Sequence, residues 1–247
     1  MNIFFEVHQG LPREAPGDEA STLRALELMP ELPASPTILD IGCGPGEQTI
    51  ALARNSTARI TAVDVHQPFL DELSHRALEA GVSERIKTLN MSMLELEFEK
   101  PFDVIWSEGA IYIIGFVQGL RAWRPLLKLR GCLAVTELSW IKPCPPTEII
   151  QYSKAEYPGM QTMEDNLESL RAAGYRELGH FILPESAWWE PYYGPMDTRV
   201  AKLRSKYACD PDALRILDMK SQETELYRKY SDYYGYVFYV MQRDSVA

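Results

Sequence analysis

The sequence predicts an α/β chain built on a mostly parallel, twisted sheet with helices on both faces. Two observations carry this. Short β-rich runs alternate with segments of helical spacing from residue 37 onward, and alternation of that kind builds parallel strands joined by crossover helices. The first such run, Ile38-Leu39-Asp40-Ile41, passes directly into Gly42-Cys43-Gly44-Pro45-Gly46-Glu47, an apolar strand turning through glycines into a helix.

The chain opens with turn formers over 10–18 and a helix beginning near Ser21 and ending near Pro30. Strands are then expected at 37–41, 59–64, 86–90, 102–106 and 132–138, with helices near 47–54, 67–80 and 116–129. Gly81 and Gly131 follow the last two helices, where a left-handed cap is wanted. A helix over 166–173 stopped by Gly174 precedes a strand at 177–183, and a last strand is expected at 236–242. The aromatic segment between these strands contains Trp188, Trp189, Tyr192 and Tyr193, then Tyr227, Tyr230, Tyr233 and Tyr234. Helical spacing of Tyr227, Tyr230 and Tyr234 favours packing between elements, whereas Trp189 and Tyr193 sit where a loop after a strand can line a substrate pocket.

Gly42, Gly44 and Gly46 give the loop sharp turns and let a ligand approach main-chain atoms. The helix that follows offers free N–H groups. The spacing G-x-G-x-G departs from the dinucleotide G-x-G-x-x-G, and Asp40 lies on the strand just before the first glycine. A carboxylate there repels pyrophosphate and attracts a ligand carrying an ammonium and a sulfonium. Asp64 ends the second strand about twenty residues on, the place for a carboxylate that accepts both ribose hydroxyls and rejects a 2′-phosphate. It also suits the N-cap of the next helix.

Residues 38–53 together with Asp64 resemble motif I and the acidic loop of class I S-adenosylmethionine-dependent methyltransferases. Within that class the chain is most similar to small-molecule enzymes of the ubiquinone-biosynthesis-like, methyltransferase-11 type. The resemblance implies a Rossmann-like fold in which the last two strands form an antiparallel edge. It implies S-adenosyl-L-methionine as cofactor, S-adenosyl-L-homocysteine as product, and Asp40, Gly42, Cys43, Gly44, Gly46, Thr49, Asp64 and Val65 as cofactor-binding residues. Ser92 and Met93, after the third strand, would hold the adenine, although methionines there also serve as core filler.

The fourth strand runs into Ser107-Glu108-Gly109-Ala110-Ile111-Tyr112, at the carboxyl edge where open α/β sheets bind ligands. Ser107 would face the cofactor, and Glu108 and Tyr112 are the catalytic candidates, with Glu108 as base; capping of the next helix is the competing role for Glu108. The segment lacks the Asn-Pro-Pro-aromatic pattern of methyltransferases acting on adenine or amide nitrogens. Arg13 and Trp140, with Trp189 and Tyr193, are the substrate candidates; Arg13, Pro16 and Gly17 form either a lid over the pocket or a solvated linker. His8 shares that lid-or-linker reading; Glu137 and Ser139 are further pocket candidates, while His66 and His180 are assigned no role.

The expected organisation is a single methyltransferase domain over 1–247: an N-terminal lid and helix (1–35), a cofactor-binding core (36–183), an aromatic helical insert (184–235) and a final edge strand (236–247). Acidic residues outnumber basic ones 35 to 25, which disfavours adhesion to nucleic acid. The four cysteines show neither metal-ligand nor disulfide spacing, so no metal is expected and a reducing, cytoplasmic compartment is. Neither a leader nor a membrane-spanning run is evident. The function expected is methyl transfer to a small-molecule acceptor. An NAD-dependent oxidoreductase and a non-catalytic S-adenosylmethionine-binding module are the alternatives, and the oligomeric state stays open.

Overall fold

The computed structural model describes residues 3–244; residues 1–2 and 245–247, the outer ends of the expected N-terminal segment and last strand, lie outside the described residues. Strands β1 (Thr37–Ile41), β2 (Arg59–Asp64), β3 (Ile86–Asn90), β4 (Phe102–Ser107), β5 (Leu127–Trp140), β6 (Gln161–Thr162), β7 (Tyr175–Ile182) and β8 (Tyr234–Arg243) form one sheet. Its order is β3-β2-β1-β4-β5-β8-β7, with the short β6 paired to β5. The pairs from β3 to β5 are parallel, and β8 runs antiparallel to both β5 and β7. This is the Rossmann-like class I methyltransferase arrangement that the resemblance implied. The final strand is not itself the rim, however: β8 is inserted between β5 and β7, and β7 is outermost.

Burial on both faces explains the nearly unbroken apolar strands. Ile38, Val104, Trp106, Cys132, Ala134, Phe238 and Val240 enter one core, while Leu39, Ile105, Leu133, Val135, Val237 and Tyr239 enter the core across the sheet. Successive residues of a strand point to opposite faces, so one run feeds both cores.

The helices are α1 (Ile3–His8), α2 (Glu19–Glu27), α3 (Glu47–Arg54), α4 (Gln67–Glu79), α5 (Phe116–Trp123), α6 (Thr147–Glu156), α7 (Met163–Ala172), α8 (Ser186–Trp188), α9 (Gly194–Lys206) and α10 (Pro211–Tyr230). Asp18 caps α2 through the Ser21 amide at 2.6 Å, and Asp210 caps α10 through Ala213 at 3.0 Å. Gly81 ends α4 at φ +69 as expected, with the Val82 amide reaching back to the Ala77 carbonyl.

The helix expected over 116–129 stops at Trp123. Pro125 lies in the turn that follows, and β5 already begins at Leu127. Gly131 is therefore not a helix cap. It lies inside β5 beside a register shift against β4, where a Cβ would stand 3.0 Å from the Asp103 carbonyl.

The order of strands reverses between β1 and β4. Their carboxyl ends, followed by Gly42 and by Glu108-Gly109, open the crevice in which this type of sheet takes its ligand.

Candidate functional site

The loop after β1 is pinned from beneath: the amides of Gly42 and Cys43 both donate to the Val63 carbonyl, at 2.9 and 3.0 Å. Gly42 has φ +70, and a Cβ on it would lie 2.5 Å from that of Ala110. The backbone at Gly42–Pro45 consequently forms the floor of a cavity of ≈ 260 Å³. Gly46 has a different task from the one expected. At φ +85 it caps α3 without lining that cavity, and a Cβ there would collide with Leu73 of α4, so it serves helix packing.

Asp40 is fully buried behind the loop, where its carboxylate accepts from the Thr49 hydroxyl at 2.5 Å and from the Gln48 amide at 3.3 Å. Burial pushes its pKa up to about 7, against the lowering effect of the Thr49 bond. Neither Asp40 nor Thr49 lines the cavity; Gln48 does, and also donates to the Cys43 carbonyl at 3.1 Å. The direct contact expected of Asp40 and Thr49 is thus replaced by support of Gln48 and the loop, because α3 packs its first turn over the strand end.

Asp64 faces the cavity from the end of β2. One of its oxygens accepts from the Gly44 amide at 3.0 Å and the other from the His66 amide at 2.9 Å. Each carboxylate oxygen keeps a further acceptor direction. Cys43, Val65, Ser92 and Met93 share the same cavity, with Phe69, Leu94 and Ile113 supplying apolar surface. Phe69 meets the His66 ring edge-on at 4.5 Å.

Ser107 lies off the cavity, whereas Glu108 and Arg13 line it. The Ser107 hydroxyl is buried and donates to the Ile41 carbonyl at 2.9 Å, clamping β4 to β1 outside the cavity lining. Glu108 is held on both oxygens: Arg13 donates to Oε2 at 2.6 Å, while the Thr22 hydroxyl and the Trp106 indole donate to Oε1 at 2.7 and 2.9 Å. Both Arg13 and Glu108 are buried. Both residues also line the first cavity, so the carboxylate ties the N-terminal segment to β4 while standing on the cavity wall.

A second cavity of ≈ 220 Å³ adjoins the first and shares Glu14, Ala15, Pro16, Gly109 and Tyr112 with it. Tyr112 stands at the junction, 44% exposed, with Tyr157 edge-on at 6.1 Å. Tyr193 lines the second cavity as expected, beside Tyr152, Trp188, Tyr192, Tyr234 and Tyr236. Tyr227 packs behind them, stacked on Trp188 at 4.0 Å. Trp189 and Trp140 line neither cavity. The Trp189 indole donates to Glu185 at 3.0 Å under the Arg228 guanidinium, and Trp140 packs edge-on against Tyr234. A π-helical turn, Trp189–Tyr193, follows α8; Trp188, Tyr192 and Tyr193 reach the second cavity and Trp189 does not.

Glu14 lines both cavities, yet it is absent from the sequence-based site. Its Oε1 is buried with no partner among the described residues, and Oε2 lies 4.0 Å from Nδ1 of the buried His8. Burial, then the nearby Asp64 charge, pushes its pKa up to about 8, with Lys220 opposing. Glu137 is buried at the end of β5, accepts a hydrogen bond from the Tyr157 hydroxyl and keeps Oε2 without a described partner; burial raises it to about 8. Position next to Arg13 in a turn-rich segment was the one available signal for Glu14, whereas Tyr152 and Tyr157 lie on and just after α6, for which the sequence carried no recognised pattern. Ser139 bonds to Tyr239 and His180 to Glu177, both away from the cavities.

Residues 38–131 match the family model described as a methyltransferase domain. The structure is similar to a SAM-dependent methyltransferase of Geobacter sulfurreducens in complex with S-adenosyl-L-homocysteine, with TM-score 0.82 and 21% identity over 98% of this chain and 97% of that one. The uncharacterized protein YjhP of Escherichia coli (strain K12) is 29% identical over 63% of each chain. The 27-O-demethylrifamycin SV methyltransferase of Amycolatopsis mediterranei (strain S699) is 31% identical over 38% of this chain and 36% of its own. The chain thus spans less than two thirds of the length of these two curated relatives.

Proposed function

From a chain that has the class I methyltransferase fold and carries a methyltransferase domain over residues 38–131, we propose an enzyme that transfers a methyl group from S-adenosyl-L-methionine to a small-molecule nucleophile. One observation carries the reading: the open backbone at Gly42–Gly44 and the Asp64 carboxylate, 20 residues apart in sequence, are joined by a hydrogen bond on the wall of one cavity. That pairing suits a ligand with a ribose at Asp64 and a polar tail at the glycine loop.

The cofactor, when bound, supplies a methyl group on a sulfonium. Asp64 would accept hydrogen bonds from its ribose hydroxyls, and Ser92, Met93, Val65 and Phe69 would form the wall for its base. Gly42, Cys43 and Gly44 would hold its tail through main-chain atoms, backed by Gln48 and, through it, by Asp40. The segment from Arg13 to Gly17, latched by Glu108, covers the crevice and excludes water. Tyr112 stands where the two cavities meet, so the acceptor approaches from the tyrosine-lined side. Holding donor and acceptor aligned supplies much of the rate, on the order of 7 kcal/mol or more in favourable cases.

We assign the protein to the cytoplasm on its cysteines, all four of which are free thiols. No helix among the described residues is long and apolar enough to cross a membrane.

Calorimetric titration with S-adenosyl-L-homocysteine tests the reading. Micromolar binding that weakens in Asp64→Ala supports it, and binding of NAD in its place would return the chain to the oxidoreductases. Cofactor binding with no methyl transfer across a broad acceptor panel would favour a non-catalytic module.

A further inference from the structure

The tyrosine-lined cavity has a charge pattern as well as a shape. Glu14, Glu156 and Glu223 contribute carboxylates to its lining, and the single basic residue there, Lys220, is bonded to Glu223 at 2.9 Å. Arg13, the nearest other cation of the lid segment, is committed to Glu108. A carboxylate or phosphate acceptor would therefore meet acidic walls. A neutral alcohol or phenol would face acceptor groups without supplying the charge they favour. Aromatic faces present the negative side of their quadrupole, and a cation held against several of them is stabilised in proportion to its desolvation.

Resting on the methyltransferase reading above, we propose that the acceptor is an amine that enters as an ammonium, its nitrogen held between the tyrosine faces and the Glu14 carboxylate at the junction of the two cavities. Glu14 is the residue whose position makes this specific. It lines both cavities, and its Oε1 has no described partner although it is buried. The charged or titratable groups that face it are His8 from α1, Asp64 from β2, Lys220 from α10 and Tyr192 from the turn before α9, with Glu156 and Glu223 on the same cavity lining. The raised pKa of Glu14 describes the cavity without a cation; an ammonium brings the compensating charge and draws the group into its ionised form.

The ammonium N–H then yields its proton to the Glu14 carboxylate, leaving a neutral amine. Its lone pair forms the new C–N bond as the bond from methyl carbon to sulfur breaks, and the positive charge passes from sulfur to nitrogen. The proton on Glu14 is released to solvent, so each turnover liberates one proton and the product leaves as an alkylammonium.

The test uses protein saturated with S-adenosyl-L-homocysteine, titrated calorimetrically at pH 7.5 with phenethylamine, phenethyl alcohol and 3-phenylpropionate. These share a benzene-sized body of the kind cavities of this order accommodate. The amine is expected to bind at least tenfold more tightly than the alcohol, and the carboxylate more weakly than either. Glu14→Gln should bring amine and alcohol within about twofold of each other. Tyr152→Phe should keep the amine preference, and Tyr152→Leu should reduce it severalfold. Equal binding of amine and alcohol by the unmodified protein, or preference for the carboxylate, overturns the inference with cofactor binding intact. Failure to bind S-adenosyl-L-homocysteine overturns the reading beneath it.

Discussion

The Arg13 guanidinium donates to the Glu108 carboxylate at 2.6 Å across 95 residues of sequence, with both side chains buried. The pair joins the turn-rich segment before α2 to the carboxyl end of β4, and Thr22 and Trp106 complete the carboxylate's partners. The next part of the segment is fastened as well, by the Gly17 amide donating to the Ala187 carbonyl at 3.0 Å. Cover and crevice are thus one hydrogen-bonded unit. Glu108 takes part in that fastening from the wall of the first cavity, and Glu14 lies where the two cavities join.

Glu108→Gln is expected to behave as a stability and cover variant. It leaves Arg13 buried without its counter-charge, a change that costs about 3–5 kcal/mol when one partner of a buried pair is removed. Thermal unfolding should shift down by several degrees and S-adenosyl-L-homocysteine should bind more weakly. Arg13→Met combined with Glu108→Met should recover part of the loss. A Glu108→Gln protein of unchanged stability and unchanged cofactor affinity, but without turnover, would restore Glu108 as the base.

The last two glycines of the loop, Gly44 and Gly46, should separate by phenotype. Gly46→Ala places a methyl group against Leu73 in a left-handed backbone, so α3 and α4 must move apart. Unfolding should occur at markedly lower temperature, consistent with a penalty of a few kcal/mol for overpacking and strain together. Gly44→Ala at φ +53 meets only the Glu14 side chain, at 3.3 Å, which is able to give way. Its stability cost should be about 1–2 kcal/mol, with the larger effect a loss of S-adenosyl-L-homocysteine affinity, because the new methyl group stands on the cavity floor. Equal effects on both readouts in the two variants would contradict this division.

Local signals made the strands and the loop legible. β1 ends at Ile41 before the glycine turn and β2 ends on its terminal acid, Asp64, as the sequence predicts, since strand, glycine turn and helix start each have their own sequence chemistry. Two features were hidden for different physical reasons. Pro125 ends α5 early and Gly131 then serves a strand, a choice that depends on where β4 lies. Trp188 and Trp189 are adjacent and chemically alike, and which of them reaches the cavity depends on how the short helix after β7 packs, which no local pattern states. The surroundings of Glu108 and Glu14 were not legible because they come from distant parts of the chain: Arg13 and Thr22 for the first, Asp64 and Lys220 around the second.

The last prediction concerns stability against pH. Glu137 and Glu14 are raised to about 8, and Asp40 to about 7, chiefly by burial. For an acid whose pKa is higher in the folded state, the folded chain binds more protons than the unfolded one between the two values. Stability from these groups is therefore complete below pH about 4, the unfolded carboxylate range, and is lost as pH rises through 7 to 8, with a slope of at most about 1.4 kcal/mol per pH unit for each group. Asp103 acts in another window: burial raises its pKa, but bonds from Lys128 and Thr37 outweigh it, and the lowered carboxyl loses its contribution only as pH falls below the ordinary Asp range. The ligand-free protein should accordingly unfold at lower temperature at pH 8.5 than at pH 6. Glu137→Gln offers the Tyr157 hydroxyl an amide oxygen and cannot ionise, so its unfolding temperature should fall less over this interval and exceed that of the unmodified protein at pH 8.5. Thermal unfolding of both proteins at pH 5.5, 7 and 8.5 decides the matter, and parallel curves would mean that Glu137 keeps an ordinary carboxyl pKa in the folded chain.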